Sequence, residues 1–321
     1  MLDFLEHGAR DPYLYVKNAG SYYNYLGRKE KLPSQIDADA KKVLEAFSKS
    51  VANGKRIEDV ILLRFLVTKF SVSRTEISEA VHGKYDYQPS LETLASCAWS
   101  INLQFVKKKI HLVDDDGVNF SRTPFFEALL NQEVFLEQLV DLLKASEYVF
   151  DEKFRKGKFN NGFFIYEKYS REDALRILNW KENPVPQNVG GYITHPDKRC
   201  FVVFVTYKKS LDEHALVDYE DRFLNRQLFE MISKNNRSLK SPEILLLRQS
   251  NALRIPFFIK KNDDEGTEFY YLGNMSPLGT GEGFQEDFRG KNKDIKVVKV
   301  RFNLEESVPE SLYEYLIDEG V

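Results

Sequence analysis

The sequence predicts an α+β protein in which a mainly helical N-terminal domain precedes a β-rich domain. Apolar residues recur at helical spacing between residues 36 and 147, whereas aromatic and β-branched runs bounded by turn residues, such as 201–207, mark the second half. The pattern changes at residues 151–162, a polar, basic and glycine-containing stretch that suits a linker or a phosphate contact. We therefore predict domains at residues 1–152 and 153–321.

The predicted helices of the first domain have recognisable start signals. Residues 1–35 contain clustered aromatics interrupted by glycine, which favours a small helical packing element. Ser73 and Glu76 form a capping box, and Ser90 is the N-cap of the next helix. The other segments with helical periodicity are 36–51, 57–70, 77–81, 91–105, 123–130 and 133–147.

The order of elements between residues 57 and 121 is also that of a winged helix, because residues 106–120 predict a hairpin with an Asp-Gly turn. A DNA-reading role would place residues 91–105 in a groove. That segment, LETLASCAWSINLQF, is apolar and has no basic residue, so we favour a packed helix in a coupling domain. The lysine run 107–109 is typical of a solvated face, with phosphate contact as the alternative.

The second domain is predicted to be built from hairpins. The first hairpin is formed by GGYIT, the turn residues HPDKR and the run 201–207. The second hairpin is formed by residues 255–272 around the turn NDDEG. Ser170 and Asp173 predict a capping box for a helix over 171–180. The remaining predictions are a helix or turn over 228–243, strands over 244–247 and 295–302, a Gly-rich loop over 279–290, and a last helix opened by Ser307 and Pro309. These strands favour a mixed, curved sheet or small pseudo-barrel.

Composition excludes several classes of protein. The 321-residue chain is long enough for two domains, and its net charge of −3 provides no overall attraction to nucleic acid, so such a site requires a local basic patch. Cys97 and Cys200 lie in apolar segments and read as reduced core residues, without zinc-ligand spacing. With no signal peptide or membrane-spanning run, the expected location is the cytoplasm, with no membrane partner.

The sequence contains no recognisable catalytic motif. The loop GTGEGFQEDFRGKN does not have Walker A spacing, and His195-Pro-Asp-Lys198 reads as a turn rather than a phospholipase-D signature. A carboxylate set with Glu-x-Lys nuclease spacing is also absent. We therefore expect no catalytic residues, no metal site and no cofactor, and we expect that this chain is not itself an enzyme.

The second half resembles a known family through several segments in a fixed order. It is similar to the C-terminal domain that follows the nuclease and motor modules in type IV, modification-dependent restriction enzymes of the SauUSI kind. Residues 1–150 resemble the helical coupler of these enzymes, chiefly through FLEHGARDPYLYVKNAGSYYNYL. The segments of the second half are KYSREDALRILNW, GGYITHPDKRCFVVFVTYKK, YEDRF, SKNNRSLKS, IPFFIKK and EFYYLG.

This resemblance implies an SRA-like domain, a base-flipping fold related to the PUA pseudo-barrel, which binds double-stranded DNA containing 5-methylcytosine or 5-hydroxymethylcytosine. It also implies that the chain is the C-terminal part of a longer enzyme whose helicase and nuclease modules are its partners. The chain departs from the family at residues 229–232, where family members commonly have Trp in an FxW segment.

A pocket for a flat, charged ligand needs stacking faces and a hydrogen-bond acceptor. We assign stacking to Tyr192, Tyr207 and Tyr219, with core packing as the alternative role of each. Asp221 is the candidate acceptor for the cytosine amino group, or else an ion-pair partner of Arg222. The candidates for contact with the DNA backbone, which could instead be merely solvated, are Lys208, Lys209, Arg222, Asn236, Arg237 and Lys240.

Three functions remain open at this stage. The first is a DNA-binding module that reads a modified cytosine. The second is a coupling or protein-interaction module that docks a helicase motor. The third is an RNA-binding, PUA-like domain.

Overall fold

The computed structural model describes residues 1–7, 16, 18–29, 35–107, 110–185, 189–207, 221–249, 252–279, 281–289 and 295–318. The chain divides into two compact units. The first comprises Met1–Phe163 and Glu172–Asn183, and the second comprises Phe164–Arg171 and Pro184–Val321. Compactness alone does not show that a unit folds independently, so the domain bounds 1–152 and 153–321 stay predictions.

The first unit is mainly helical, as predicted. Ser73 Oγ accepts from the Glu76 amide at 3.1 Å while the Glu76 carboxylate accepts from the Ser73 amide at 2.9 Å, which confirms the capping box. Ser90 caps the following helix by accepting from the Thr93 amide at 3.0 Å. The helices are α1 (Leu2–His7), α2 (Tyr22–Arg28), α3 (Ala38–Ser50), α4 (Ile57–Thr68), α5 (Arg74–Tyr85), α6 (Leu91–Ile101), α7 (Pro124–Leu130), α8 (Glu133–Lys156) and α9 (Arg171–Ile177), the last belonging to this unit from Glu172 onward. None of the described helices is long and apolar enough to cross a membrane.

The winged-helix order is present in this unit. Three short strands, β1 (Ser71–Ser73), β2 (Val113–Asp115) and β3 (Asn119–Arg122), form an antiparallel sheet in the order β1-β3-β2. Helix α6 buries Leu94, Cys97 and Ile101 among others, so it is a packed helix, as we favoured from its composition. Lys108 and Lys109 lie outside the described residues.

The predicted linker at residues 151–162 is wrong. Helix α8 continues to Lys156, and the short strands β4 (Phe159–Asn160) and β5 (Phe163–Phe164) then pair as a hairpin. The helix continues because Phe150 and Phe154, four residues apart on one face, both pack edge-on against Tyr85 at 5.0 and 5.1 Å between ring centroids. The polar composition of this stretch reflects the solvent-facing side of the helix.

The second unit is built on a mixed sheet, as predicted. Its strands are β6 (Lys168–Ser170), β7 (Tyr192–Thr194), β8 (Phe201–Thr206), β9 (Arg222–Asn225), β10 (Leu228–Ile232), β11 (Pro256–Lys260), β12 (Glu268–Pro277), β13 (Phe284–Arg289) and β14 (Ile295–Leu304). The main order is β7-β8-β11-β12-β14-β10-β9, with β13 on β14 and β6 on β12. Only the β8–β11 pair is parallel among the described strands, and both predicted hairpins, β7–β8 and β11–β12, are formed.

The sheet curves around one apolar core. Phe229 on β10 and Phe257 on β11 have ring centroids 4.6 Å apart although two strands separate them in the sheet, so this contact crosses the interior. Phe223 on the edge strand β9 and Tyr192 on the opposite edge strand β7 belong to the same core. The α+β class and a curved, pseudo-barrel-like sheet are therefore confirmed.

Three predicted elements of the second unit are wrong. Residues 228–243 begin with strand β10 rather than a helix or turn, and the predicted strand at 244–247 lies in helix α10 (Pro242–Gln249). The loop at 279–290 contains strand β13. The sequence pattern does not predict strand β10, because its central outward-facing residue, Glu230, is charged. Helix α10 begins with Pro242, and proline suits the first turn of a helix. The last helix, α11 (Glu310–Ile317), begins directly after Pro309, as predicted.

Candidate nucleic-acid interface

The chain from Ser233 to Ser241, between β10 and α10, forms a basic segment. It contains Lys234, Arg237 and Lys240, with Asn236 at its exposed turn. Asn236 has φ 59°, a left-handed conformation that asparagine adopts more readily than most residues. The Ser238 amide donates to Ser241 Oγ at 3.0 Å, and this bond fixes the end of the segment just before α10. The sequence therefore places three cations on an ordered turn.

Tyr192 fixes the beginning of the basic segment. Its hydroxyl lies 3.3 Å from the Lys234 amide, from which it accepts, and 3.3 Å from Glu243 Oε1, to which it donates. Burial raises the pKa of Tyr192 to about 12, so the hydroxyl keeps the proton that it donates. One face of the ring stacks on Phe201 at 4.9 Å, and the side chain of Lys234 places its ammonium 4.7 Å from the ring centroid. With only 4% of its surface exposed, Tyr192 acts here as a support of the segment rather than as an open stacking face.

Glu243, the second residue of α10, holds the middle of the segment. Its carboxylate binds Arg237 Nε, and a second nitrogen of Arg237 donates to the Asn235 carbonyl at 3.2 Å. Burial opposes ionisation of Glu243, but its backbone hydrogen bond and Arg237 outweigh that effect, so its pKa is lowered. Burial, followed by repulsion from Arg237, lowers the pKa of Lys234. One carboxylate thus orients Arg237, while Lys240 stays exposed.

Asp221 reaches the same end of β10 from another direction. Its Oδ1 accepts from the Ile232 amide at 2.8 Å, immediately before the basic segment. Arg222, its neighbour in sequence, binds Glu230, with a nitrogen–oxygen distance of 3.1 Å. The structure therefore brings together Asp221, Tyr192 and the basic segment, through hydrogen bonds to the main chain of Ile232 and Lys234.

The other predicted pocket residues are placed differently. Tyr207 is half-buried at the end of β8, where it packs on Phe223 at 5.9 Å and its amide donates to the Lys260 carbonyl at 2.9 Å. Tyr219, Lys208 and Lys209 lie outside the described residues.

Two residues of this site were missed by sequence reasoning, Glu243 and Lys234. Glu243 lies 51 residues from Tyr192, so no local spacing could connect the two. Lys234 is visible as one more basic residue in SKNNRSLKS, and that density of basic and amide side chains is the signal that could have included it.

Each half of the chain matches the model of a domain family of unknown function. Residues 163–316 match a family described as a domain of unknown function, DUF3427. Residues 1–156 match a second domain of unknown function, DUF8090. No curated protein matches the chain.

Some solved structures show a distant likeness. The "DNA modification-dependent restriction endonuclease AspBHI" is 16% identical over 41% of this chain and 43% of that one, with a TM-score of 0.27. The "Sulfur binding domain and SRA domain of ScoMcrA complexed with phosphorothioated DNA" is 10% identical over 84% and 90% of the two chains, with a TM-score of 0.29. The type IV phosphorothioation-dependent restriction endonuclease ScoMcrA is 10% identical over 92% and 61%, with a TM-score of 0.25.

The matched regions span less than half of the AspBHI chain and 61% of the ScoMcrA endonuclease chain. TM-scores of 0.25 to 0.29 do not establish a shared fold.

Proposed function

We propose that this chain is a DNA-binding module that recognises a modified cytosine, as the target-recognition part of an ATP-dependent type IV restriction enzyme. The observation that carries the proposal is the arrangement at the end of β10. There, hydrogen bonds to Ile232 and Lys234 hold a carboxylate, Asp221, and an aromatic ring, Tyr192, beside an ordered basic segment. The resemblance of the quoted segments to the SRA-like domain supports the choice of DNA as the ligand, and makes helicase and nuclease modules the proposed partners.

The chemistry of such a site divides between the backbone and the base. The exposed Lys240 and the turn around Asn236 suit phosphate oxygens, which contribute affinity without sequence information. The Asp221 carboxylate suits the exocyclic amine of cytosine, and its two oxygens have lone pairs for more than one donor. A methyl group at C5 adds apolar area but no hydrogen bond, so we expect discrimination on the order of 1 kcal/mol from that group alone.

The proposal is tested by binding of the whole chain to matched duplexes that contain cytosine, 5-methylcytosine or 5-hydroxymethylcytosine, measured by fluorescence anisotropy over a range of salt concentrations. We expect tighter binding to a modified duplex and a negative dependence of affinity on salt. Asp221→Asn should weaken binding, and Asp221→Ala should weaken it further, because the buried amine then loses its acceptor. Thermal unfolding of both variants checks that loss of the bond to Ile232 has not unfolded the domain.

Other outcomes select the alternatives. Equal binding to all three duplexes would show that the chain does not recognise a modified base. Preference for a phosphorothioated duplex would show that it recognises a modified DNA backbone instead. Preference for single-stranded RNA would favour the PUA-like alternative. Absence of binding to any nucleic acid, with retained binding to a helicase module, would favour the coupling module.

We further propose that this chain alone neither hydrolyses ATP nor cuts DNA, because its sequence contains neither a Walker A motif nor a recognisable nuclease set. We expect no phosphate release from ATP in the presence of methylated DNA, and no cleavage of a methylated plasmid in the presence of Mg²⁺. Metal-dependent cleavage by the purified chain, abolished by substitution of its own residues, would contradict this proposal.

A further inference from the structure

A row of three charged side chains crosses the solvent-facing side of the sheet. In the register of β9, β10 and β14, Glu230 pairs with Arg222 on one side and with Arg301 on the other. Paired residues of an antiparallel sheet lie on the same face with neighbouring side chains. The core residues of β10 and β14, including Met231, Val300 and Phe302, point to the opposite face.

Glu230 holds both arginines at once. Its Oε1 accepts from Arg222 Nε at 3.2 Å, and its Oε2 accepts from Arg301 Nε at 2.8 Å. Burial opposes ionisation of Glu230, but the two arginines outweigh it and lower its pKa, so the group is charged at neutral pH. A guanidinium has five N–H donors, and among the described residues the guanidinium of Arg301 has no hydrogen-bond partner other than Glu230.

The charges in this row do not cancel. The side chain of Glu230 is 2% exposed, whereas those of Arg222 and Arg301 are 52% and 38% exposed. One arginine would suffice to neutralise the carboxylate, so the row has a net positive charge that faces solvent. Lys299, two residues before Arg301 on the same strand, lies beside it and pairs with Asp287 at 2.6 Å.

We infer that Arg222 and Arg301 form a clamp for nucleic-acid phosphates and that Glu230 is its positioning residue. The carboxylate fixes the two guanidiniums before a ligand arrives, so that binding loses less side-chain freedom than it would with two free arginines. The outward N–H groups then match phosphate oxygens, for which arginine has the appropriate planar geometry. This inference rests on the proposed DNA-binding function and adds a second contact surface, outside the basic segment.

Glu230→Gln separates positioning from simple attraction, because the two effects have opposite signs. Removal of the negative charge beside the two exposed arginines would by itself tighten DNA binding. If Glu230 positions the arginines, Glu230→Gln instead weakens binding to modified and plain duplexes by about two- to tenfold. Arg222→Ala with Arg301→Ala should lower the slope of log affinity against log salt by about 2, and Arg301→Lys should keep most of the slope while binding more weakly.

Lys42→Ala is the matched control, since Lys42 is an exposed, ion-paired cation of the first unit; its salt slope should not change. Inorganic tripolyphosphate binding, measured by calorimetry, tests the clamp without DNA and should be weaker in the double arginine variant. Unchanged or tighter DNA binding by a folded Glu230→Gln variant, an unchanged salt slope, or unchanged tripolyphosphate binding would each overturn the clamp. Failure of the wild-type chain to bind any duplex would instead overturn the proposed function.

Discussion

Asp59→Ala is expected to destabilise the first unit by about 3–5 kcal/mol, because it leaves two buried guanidiniums without their shared carboxylate. Asp59 is 0% exposed, and its Oδ2 binds Arg176. Arg56, 4% exposed, has its Nε 3.7 Å from Asp59 Oδ1. The free energy of unfolding in urea, extrapolated to water, is the measurement.

The control is Asp39→Ala, which removes the partner of Lys42 in an exposed ion pair at 3.1 Å. Such a pair is worth between about 0 and 1 kcal/mol, so this variant should unfold close to the wild type. A similar loss of unfolding free energy in both variants would show that burial does not determine how much Asp59 contributes to stability.

Gly54→Ala is expected to lower the free energy of unfolding by about 3–5 kcal/mol, through backbone strain and overpacking together. Gly54 lies between α3 and α4 with φ +58°, and a Cβ there would lie 2.6 Å from the Ser146 carbonyl oxygen and 3.0 Å from Val149 Cβ. The carbonyl belongs to the backbone of α8 and cannot rotate away. The measurement is again the free energy of unfolding, together with the thermal midpoint.

Gly83→Ala is the matched substitution, since Gly83 lies within α5 and a Cβ there would contact nothing within 4 Å. Alanine should stabilise this helix by up to about 1 kcal/mol. If the Gly54→Ala variant were as stable as the wild type, the Ser146 carbonyl of α8 could not lie as close to Gly54 as described here.

The sequence by itself determined the elements whose signals act within a few residues. The capping box of Ser73 and Glu76, the N-cap Ser90 and the Asp-Gly turn of the β2–β3 hairpin all follow from side chains that bond to nearby backbone. The same is true of the two hairpins of the second unit, where period-2 runs flank short turns. The α+β class and the order of the two parts followed from these local patterns.

Only the tertiary structure decided which distant residues share a site. The sequence pattern places Glu230 in a helix or turn, whereas in the structure it lies at the centre of β10 and pairs with Arg301 of β14, 71 residues later. From the sequence, Tyr192 is a candidate stacking face with core packing as its alternative role. Its burial against Phe201 and its bond to Glu243 show that it supports the basic segment. A sheet joins segments that are far apart in the chain through backbone hydrogen bonds, which any residue but proline can donate. Local spacing in the sequence therefore does not encode the register of the strands or the neighbours of each side chain.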